Sequence, residues 1–592
     1  MISLNNSKLK GIAGLLFLIS ILLRVISIPH SNPDMAAYNL LWYQTLFQKG
    51  IGEALATNFS NYTPPYTYFL ALATFSHGLI PPLTAIKLIP ICFDLLGAFF
   101  VFKIVKLKYD QADMPYLAGA VYFTAPTVIL NSAYWGQADS LYTSLLLVCL
   151  YFVMVEKSFP AILAFGLAFS IKAQAVFFLP FLAVLAIRKR IPWLYFGIIP
   201  LVYLAAVMPV VMLGRPLLDA LFIYTQQADT YTVLSRNAPN FYILFPREWY
   251  SAGLIPGIAA AIGFIVYWIS STAKSKTKLD HRYIILIAFI STSLVPFLLP
   301  KMHDRYFYPA DVLSIVLAFF QPSLWFIPVM YQIISTLAIS NFLFGTSSSI
   351  VNPGFILNTI AIAVMIRTQR ITEERGATKQ KISSALSWLA AFLIPVILFG
   401  ISLNILLTPA YIRFEYAMPY IPADPYGLSK SERFQWAAQT MDYLTNGKQI
   451  RTLSRLEFEN GTPVFSNYEI TLVDQIKSSL RKAFSFREIS LGMLFILGVF
   501  AWAGDWAAKF VNGVKRGGWL TIGSAGILGI ALITLKGIQP QFDLQSTDTL
   551  LRLFPIRLWQ DAFLWMMIGI FGSSSLLILF STKVKSRIGI QK

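Results

Sequence analysis

The stretch Lys301-Met-His-Asp-Arg-Tyr-Phe-Tyr-Pro-Ala-Asp311 is a polar break between apolar runs. It packs three basic residues, two acids and three aromatics into a short space. Burying such groups in lipid is costly. A break of this kind therefore lines a polar cavity or faces water, and its Lys301, His303 and Arg305 suit an anionic ligand at a membrane surface. The fold follows from what flanks it. Apolar runs of roughly 17 to 25 residues recur on both sides, enough to cross the hydrocarbon core as helices.

The whole chain agrees with that reading. It has 592 residues, 56% hydrophobic and 13% charged, with mean hydropathy +0.63. A soluble chain carries about 25% charged residues. The alternation of barrel strands is absent. The expected fold is an all-α polytopic membrane protein. A net charge of +19 would suit nucleic acid, but the basic residues fall in short clusters between apolar runs. That is the signature of membrane orientation, so membrane lipid is an expected partner and nucleic acid is not. Cys92 and Cys149 lie inside apolar runs, with no metal-binding spacing and no expected disulfide.

The basic clusters set the topology. Lys8/Lys10, Lys103/Lys106/Lys108, Arg188/Lys189/Arg190, Lys274/Lys276/Lys278, Arg367/Arg370, Lys515/Arg516 and Lys583/Lys585/Arg587 can all be cytoplasmic. The spans must then lie near 9–28, 84–106, 114–130, 140–156, 159–171, 173–187, 192–213, 252–272, 283–299, 307–320, 322–341, 353–367, 384–406, 488–506, 519–536 and 561–581. That makes about 16 transmembrane helices with both termini inside. The first span reads as a retained signal anchor, since no small-residue cleavage site follows it. Residues 29–83, 131–139, 214–251, 300–306 and 407–487 then face outward. The unusual polar segments around Asp34, Trp135 and His303 thus share one side, although the basic clusters alone set the orientation.

The outer loop 29–83 is long and weakly polar, with Trp42, Tyr43, Phe47, Tyr62 and Tyr66. It reads as interfacial helices in the first outer loop. Asn61-Tyr-Thr-Pro-Pro-Tyr66 reads as an extended turn, because proline disfavours helix at itself and just before it. Charge-rich residues 371–383 form a cytoplasmic linker between a membrane domain at 1–370 and a four-span domain at 384–592. Within the latter, 407–487 has enough polar sequence for a small outer-face domain, α-rich or mixed. Ser429 and Ser431 are possible N-caps of a helix there.

Several residues carry possible chemistry, each with a plainer alternative. Asp34 caps a helix beginning Met-Ala-Ala-Tyr, or is a general base at the water–lipid boundary, or both. In Asn131-Ser-Ala-Tyr-Trp-Gly-Gln-Ala-Asp139, the plain reading is a turn with an interfacial Trp and a capping Asp. The functional reading makes Trp135 a wall for a sugar, with Gln137 and Asp139 bonding its hydroxyls and Gly136 allowing close backbone approach. Lys172 and Gln174 break an apolar stretch; Lys172 snorkels to the surface or pairs with a phosphate or acid. In the opening segment, adjacent Asp304 and Arg305 pair with each other and Asp311 caps a helix, or His303, Arg305, Tyr306 and Tyr308 bind a ligand. Tyr224, Gln226, Gln227, Arg236 and Asn240 are weaker candidates for acceptor contacts. No phosphate-binding Gly loop, zinc spacing or serine elbow occurs.

At these residues the chain resembles the C-type (GT-C) glycosyltransferases, in particular the bacterial relatives of the GPI-anchor mannosyltransferases. The likeness rests on Asp34, Tyr62-Thr-Pro-Pro-Tyr66, Tyr134-Trp-Gly-Gln-Ala-Asp139, Lys172-Ala-Gln174 and Lys301–Asp311, and covers about residues 1–370. It implies an inverting hexosyltransferase, most often for mannose, fed by a polyprenyl-phosphate sugar on the outer face. It assigns Asp34 to deprotonation of the acceptor hydroxyl. It implies phosphate contacts from His303, Arg305, Lys301 and Lys172, and sugar or acceptor contacts from Trp135, Gln137, Asp139, Gln174, Asp304 and Tyr306. No metal or other cofactor is implied beyond the lipid-linked sugar donor as co-substrate. The acceptor, a glycolipid, glycan or protein, is left open. Residues from about 384 resemble an uncharacterised bacterial family of four-span membrane proteins, through Tyr426-Gly-Leu-Ser-Lys-Ser-Glu-Arg433, Met441-Asp-Tyr-Leu444 and Val464-Phe-Ser-Asn-Tyr-Glu-Ile470 with Asp474. That family often has a histidine where this chain reads Thr471-Leu472. The expected function is a transferase at a bacterial plasma membrane. The alternatives are a transporter or flippase of lipid-linked sugars and a non-catalytic scaffold for envelope assembly.

Overall fold

Prolines start many of the helices. Pro64, Pro82, Pro115, Pro126, Pro180, Pro309, Pro322 and Pro409 all sit in first turns, where the missing N–H has no partner to lose. In this computed structural model the described residues are 6–110, 113–228, 231–376, 378–419, 421, 423–424, 426–446, 449–458, 460–534 and 548–590. They divide into two units, Met1–Arg375 and Gly376–Lys592.

The first unit contains α1 (Asn6–Ser27), α2 (Leu40–Lys49), α3 (Pro64–Thr74), α4 (Pro82–Lys106), α5 (Met114–Thr124), α6 (Asp139–Met154) and α7 (Ser158–Ile171). It continues with α8 (Leu179–Ile187), α9 (Ile198–Met212), α10 (Tyr250–Ala273), α11 (His281–Leu298), α12 (Tyr308–Phe320), α13 (Phe326–Phe344) and α14 (Val351–Thr372). Helix α4 packs against α5 and α6, α6 against α7, and α11 against α12 and α14. Helix α11 is the inner post of this unit: every residue from Tyr283 to Phe297 is buried. Its polar groups find partners; Ser291 Oγ donates to the Phe177 carbonyl at 2.7 Å, and the Asp280 side chain caps the start by accepting from Tyr283 N at 2.8 Å.

Among the described residues, 10 helices are long and apolar enough to cross a membrane. The chain is a helical, multi-pass membrane protein. Several expected spans take other forms. The run 114–130 breaks at Ala125, where α5 ends, and Pro126 starts a new turn. The runs at 140–156, 159–171, 173–187 and 307–320 form shorter apolar helices, α6 and α7 among them. The last two positions of the expected span 519–536 lie outside the described residues. Linker residue Ala377 also lies outside them. The loop 29–83 folds into α2 and α3, which bury Trp42, Tyr43, Tyr66 and Leu70 on one side. Their other side exposes Leu41, Phe47 and Leu72. The expected extended turn at Asn61–Tyr66 is shorter than the motif, because Pro64 and Pro65 already belong to α3.

The second unit comprises α15 (Gln380–Leu406), α16 (Pro409–Ala417), α17 (Lys430–Thr445), α18 (Asn467–Ala503), α19 (Ala507–Thr534) and α20 (Ile556–Ile590). Ser429 caps α17 and Ser466 caps α18, each in a reciprocal box with the Glu three residues on. Ser431 caps nothing; it lies inside α17. The small domain expected at 407–487 is helical. Its apolar cluster of Tyr411, Tyr416, Met441 and Phe465 is completed by Leu550, Leu553, Phe554 and Leu558, which lie outside that range. Helix α18 starts in this domain and runs unbroken for 37 residues, so no boundary falls at 487.

Candidate functional site

Two widened, π-helical turns build the site. Met35–Asn39 follows Asp34, and Leu130–Trp135 ends at Gly136, whose φ of 81° is left-handed. A side chain at Gly136 would also strike Met35, because a Cβ there lies 2.3 Å from Met35 Cε. The two turns dock through polar contacts. Asn32 Nδ2 donates to the Trp135 carbonyl at 2.9 Å, and Asn39 Nδ2 to the Gly136 carbonyl at 3.3 Å.

Docking places Asp34 between two donors. Trp135 Nε1 and Gln137 Nε2 each donate to Asp34 Oδ2 at 3.1 Å. Tyr62 in turn donates to Gln137 Oε1 at 3.2 Å, fixing the amide. Asp34 caps no helix; the neighbouring Asn32 Oδ1 accepts from Met35 N at 3.0 Å. Oδ1 of Asp34 accepts no hydrogen bond among the described residues, so it is the oxygen available for chemistry.

Asp34 opens onto a cleft of about 870 Å³ of empty space, part of it open solvent. Of the residues singled out from the sequence, Trp135, Gln137, Lys172, Gln174, His303, Asp304, Arg305 and Tyr306 line it with Asp34. Four segments far apart in the sequence therefore meet there, and a fifth, around Arg236, joins them. Two of them join through a short parallel pairing of Ser235–Arg236 with Met302–His303, which sets Arg236 beside His303.

The structure reassigns several of these side chains. Asp139 is fully buried and does not line the cleft. It accepts from Asn131 Nδ2 at 3.0 Å and pairs with Lys172 at 2.5 Å and Arg305 at 3.4 Å. The reason is electrostatic: a carboxylate buried at a helix start needs cations in contact. Lys172 is accordingly a paired cation at the cleft wall, not a solvent-facing one. Lys301 does not line the cleft; its Nζ donates to the Tyr250 hydroxyl at 2.8 Å. Trp135 is 1% exposed, with Phe342 stacked on it at 4.8 Å and the Arg305 guanidinium 5.2 Å from the ring centre. Its ring is therefore no open sugar platform; its N–H holds Asp34.

Charge in the cleft is uneven. Burial, then the nearby Arg305, Arg236 and Lys172 cations, push the His303 imidazole down to about 2. His303 is thus neutral, packed between Tyr231 and Tyr306, and not the expected cationic phosphate ligand. Burial raises the Asp304 carboxyl to about 6, against the opposing pull of Arg305. Its Oδ1 accepts no hydrogen bond and stands 3.9 Å from Arg305. Gln174 Oε1 is likewise buried without a donor. Both are buried acceptors with no donor in place among the described residues. Arg236 pairs with no carboxylate among the described residues; its guanidinium lies 4.0 Å from the Tyr231 ring centre.

Arg236 and Gln227 were weak candidates from sequence, and both line the cleft. Tyr224 and Asn240 do not. Tyr224 donates to the Phe169 carbonyl, and Asn240 Nδ2 to the Pro296 and Leu299 carbonyls. Gln226 lies near Asn58 instead. Sequence reasoning misses Tyr231 and Phe342: Tyr231 stands in the polar run between Gln227 and Arg236 but without a charge, and Phe342 in an apolar helix, so only their positions in space mark them.

No protein-family model matches the chain. It is similar to an uncharacterized protein of Aquifex aeolicus (strain VF5), 24% identical over 212 residues. The match covers 33% of this chain and 92% of that protein.

Proposed function

We propose that the chain is an inverting glycosyltransferase of the GT-C kind. It moves a hexose, mannose by its resemblance, from a polyprenyl-phosphate sugar to an acceptor hydroxyl. The observation that carries this reading is the Asp34 carboxylate, held by two N–H donors on one oxygen and open on the other, at the wall of a cleft that also holds Arg236 and Arg305.

The acceptor O–H gives its proton to Asp34 Oδ1. The acceptor oxygen bonds to the anomeric carbon from the face opposite the phosphate. The carbon–oxygen bond to phosphate breaks, and its electron pair leaves with the polyprenyl phosphate. Charge grows on that phosphate, so cations stabilise the transition state. Arg236 and Arg305 serve this role, with neutral His303 as a hydrogen-bonding neighbour. Asp304 Oδ1 and Gln174 Oε1 take sugar hydroxyls. Lys301 has no part in it.

The finer topology belongs to the same reading. Sixteen crossings require the shorter helices α5, α6, α7, α8 and α12, and α19 besides, to cross as well, shielded by their neighbours. The cleft then opens on the outer face of a bacterial plasma membrane, where lipid-linked donors are reached from the bilayer.

Transfer of labelled mannose from synthetic polyprenyl-phosphate mannose, with glucose and other hexose donors in parallel, tests the proposal. Transfer that depends on donor and vanishes in Asp34→Asn supports it. Full activity in that variant removes Asp34 from the mechanism. Donor movement between leaflets without transfer would make the protein a transporter.

A further inference from the structure

We infer that Lys87, on α4 and outside the cleft, is a positioning residue that sets the register between Asp34 and the donors that hold it. The inference rests on the reading of Asp34 as the base.

Lys87 is 0% exposed and pairs with no carboxylate among the described residues. Its ammonium is used on the main chain. Nζ donates to the His30 carbonyl at 2.6 Å, Tyr134 at 2.8 Å, Ile28 at 3.0 Å and, more weakly, Ser27 at 3.4 Å. Three protons thus serve the end of α1, the run leading to Asp34, and the π-helical turn that ends at Trp135. Carbonyls at helix ends carry partial negative charge, which favours a cation there.

The two clamped segments are those whose side chains meet at Asp34 Oδ2. His30 comes shortly before Asp34, and Tyr134 immediately before Trp135. The lysine stem also lies under Gly136: a Cβ there would stand 3.4 Å from Lys87 Cγ. Two turns along the same face of α4, Asp94 repeats the pattern. It accepts from Ser132 Oγ at 2.5 Å and from Arg24 at 2.8 Å, tying the same turn to α1. Helix α4 thus carries two anchors, Lys87 and Asp94, against which both segments are set. Removing the ammonium leaves buried carbonyls without donors, and the segments must shift to find new ones. A shift of about 1 Å at the reacting groups costs roughly 100-fold in rate.

The test compares Lys87→Met and Lys87→Arg in the full chain, with Cys92 and Cys149 changed to Ala. One readout is independent of activity. His30 and Tyr134 stack with ring centres 4.8 Å apart, so His30→Cys with Tyr134→Cys reports the register by cross-linking with a short bifunctional thiol reagent. The expected result is efficient cross-linking with Lys87 and about tenfold less in Lys87→Met, alongside a roughly 100-fold fall in kcat with donor KM little changed. Lys87→Arg, which keeps the donors, recovers both in large part. Unchanged cross-linking in Lys87→Met overturns the inference. So does equal loss of donor binding and kcat in both variants, which marks a general support of the fold. If the unaltered protein transfers no sugar from any donor, the proposed function fails, while the cross-linking still decides the register.

Discussion

Asp34 owes its place to Trp135 and Gln137, so changing it should alter chemistry more than structure. Asp34→Asn is expected to lower kcat by roughly 10²- to 10⁴-fold while donor binding persists, measured by transfer and by donor competition. Two basic residues should behave oppositely. Arg236→Ala is expected to raise donor KM about tenfold or more, the scale of a lost charged hydrogen bond. Lys301→Ala, outside the cleft, is expected to leave KM within about twofold. Equal effects would overturn the assignment of the phosphate to Arg236. Asp304 adds a pH dependence. Its carboxyl in the fold titrates near 6, above the ordinary 3.8. The fold therefore holds a proton that the unfolded chain has lost between those values, and stability falls as pH rises through that window. Donor affinity should change near pH 6 in the native protein, and Asp304→Asn should remove that inflection.

The elements around the site are broken on purpose-built residues. A regular helix through 126–140 would carry Trp135 and Gln137 onto different faces. The π-helical turn and the left-handed Gly136 instead send both toward Asp34. Gly136→Ala is thus expected to destabilise by about 1–2 kcal/mol from backbone strain alone, and to displace Met35 next to Asp34. A lowered melting temperature together with a larger fall in kcat would bear this out; unchanged kcat would show that the turn tolerates a side chain. The Ser429 cap was readable from the sequence because a cap acts within a few residues. The π-helical turns were not, since contacts across the fold, those of Asn32 and Asn39 among them, sustain them.

At the scale of the molecule, the proposed outer-face cleft makes a topological prediction. In a Cys92→Ala background, exposed Thr57→Cys and Thr232→Cys should react with a membrane-impermeant maleimide in intact cells. Exposed Lys276→Cys should react only after permeabilisation. The reverse pattern would put the cleft on the cytoplasmic side. The two units differ in kind: the first carries the cleft, and the second carries a capped helical domain whose apolar cluster draws on residues far apart in the chain.

The sequence by itself determined the membrane class, the main helices, and the short list of polar residues stranded among apolar ones. Those properties depend on hydropathy and on local backbone rules, which act over one helix length. Only the tertiary structure decided which of those residues face a ligand. Asp139, Lys172 and Lys301 looked alike as candidates, yet two neutralise each other inside the wall and the third turns to Tyr250. Lys87, hidden in an apolar helix, holds the turns on which Asp34 depends. Which charge finds which partner is set by distances across the fold, because in a low-dielectric interior the nearest opposite charge or carbonyl governs each ionised group.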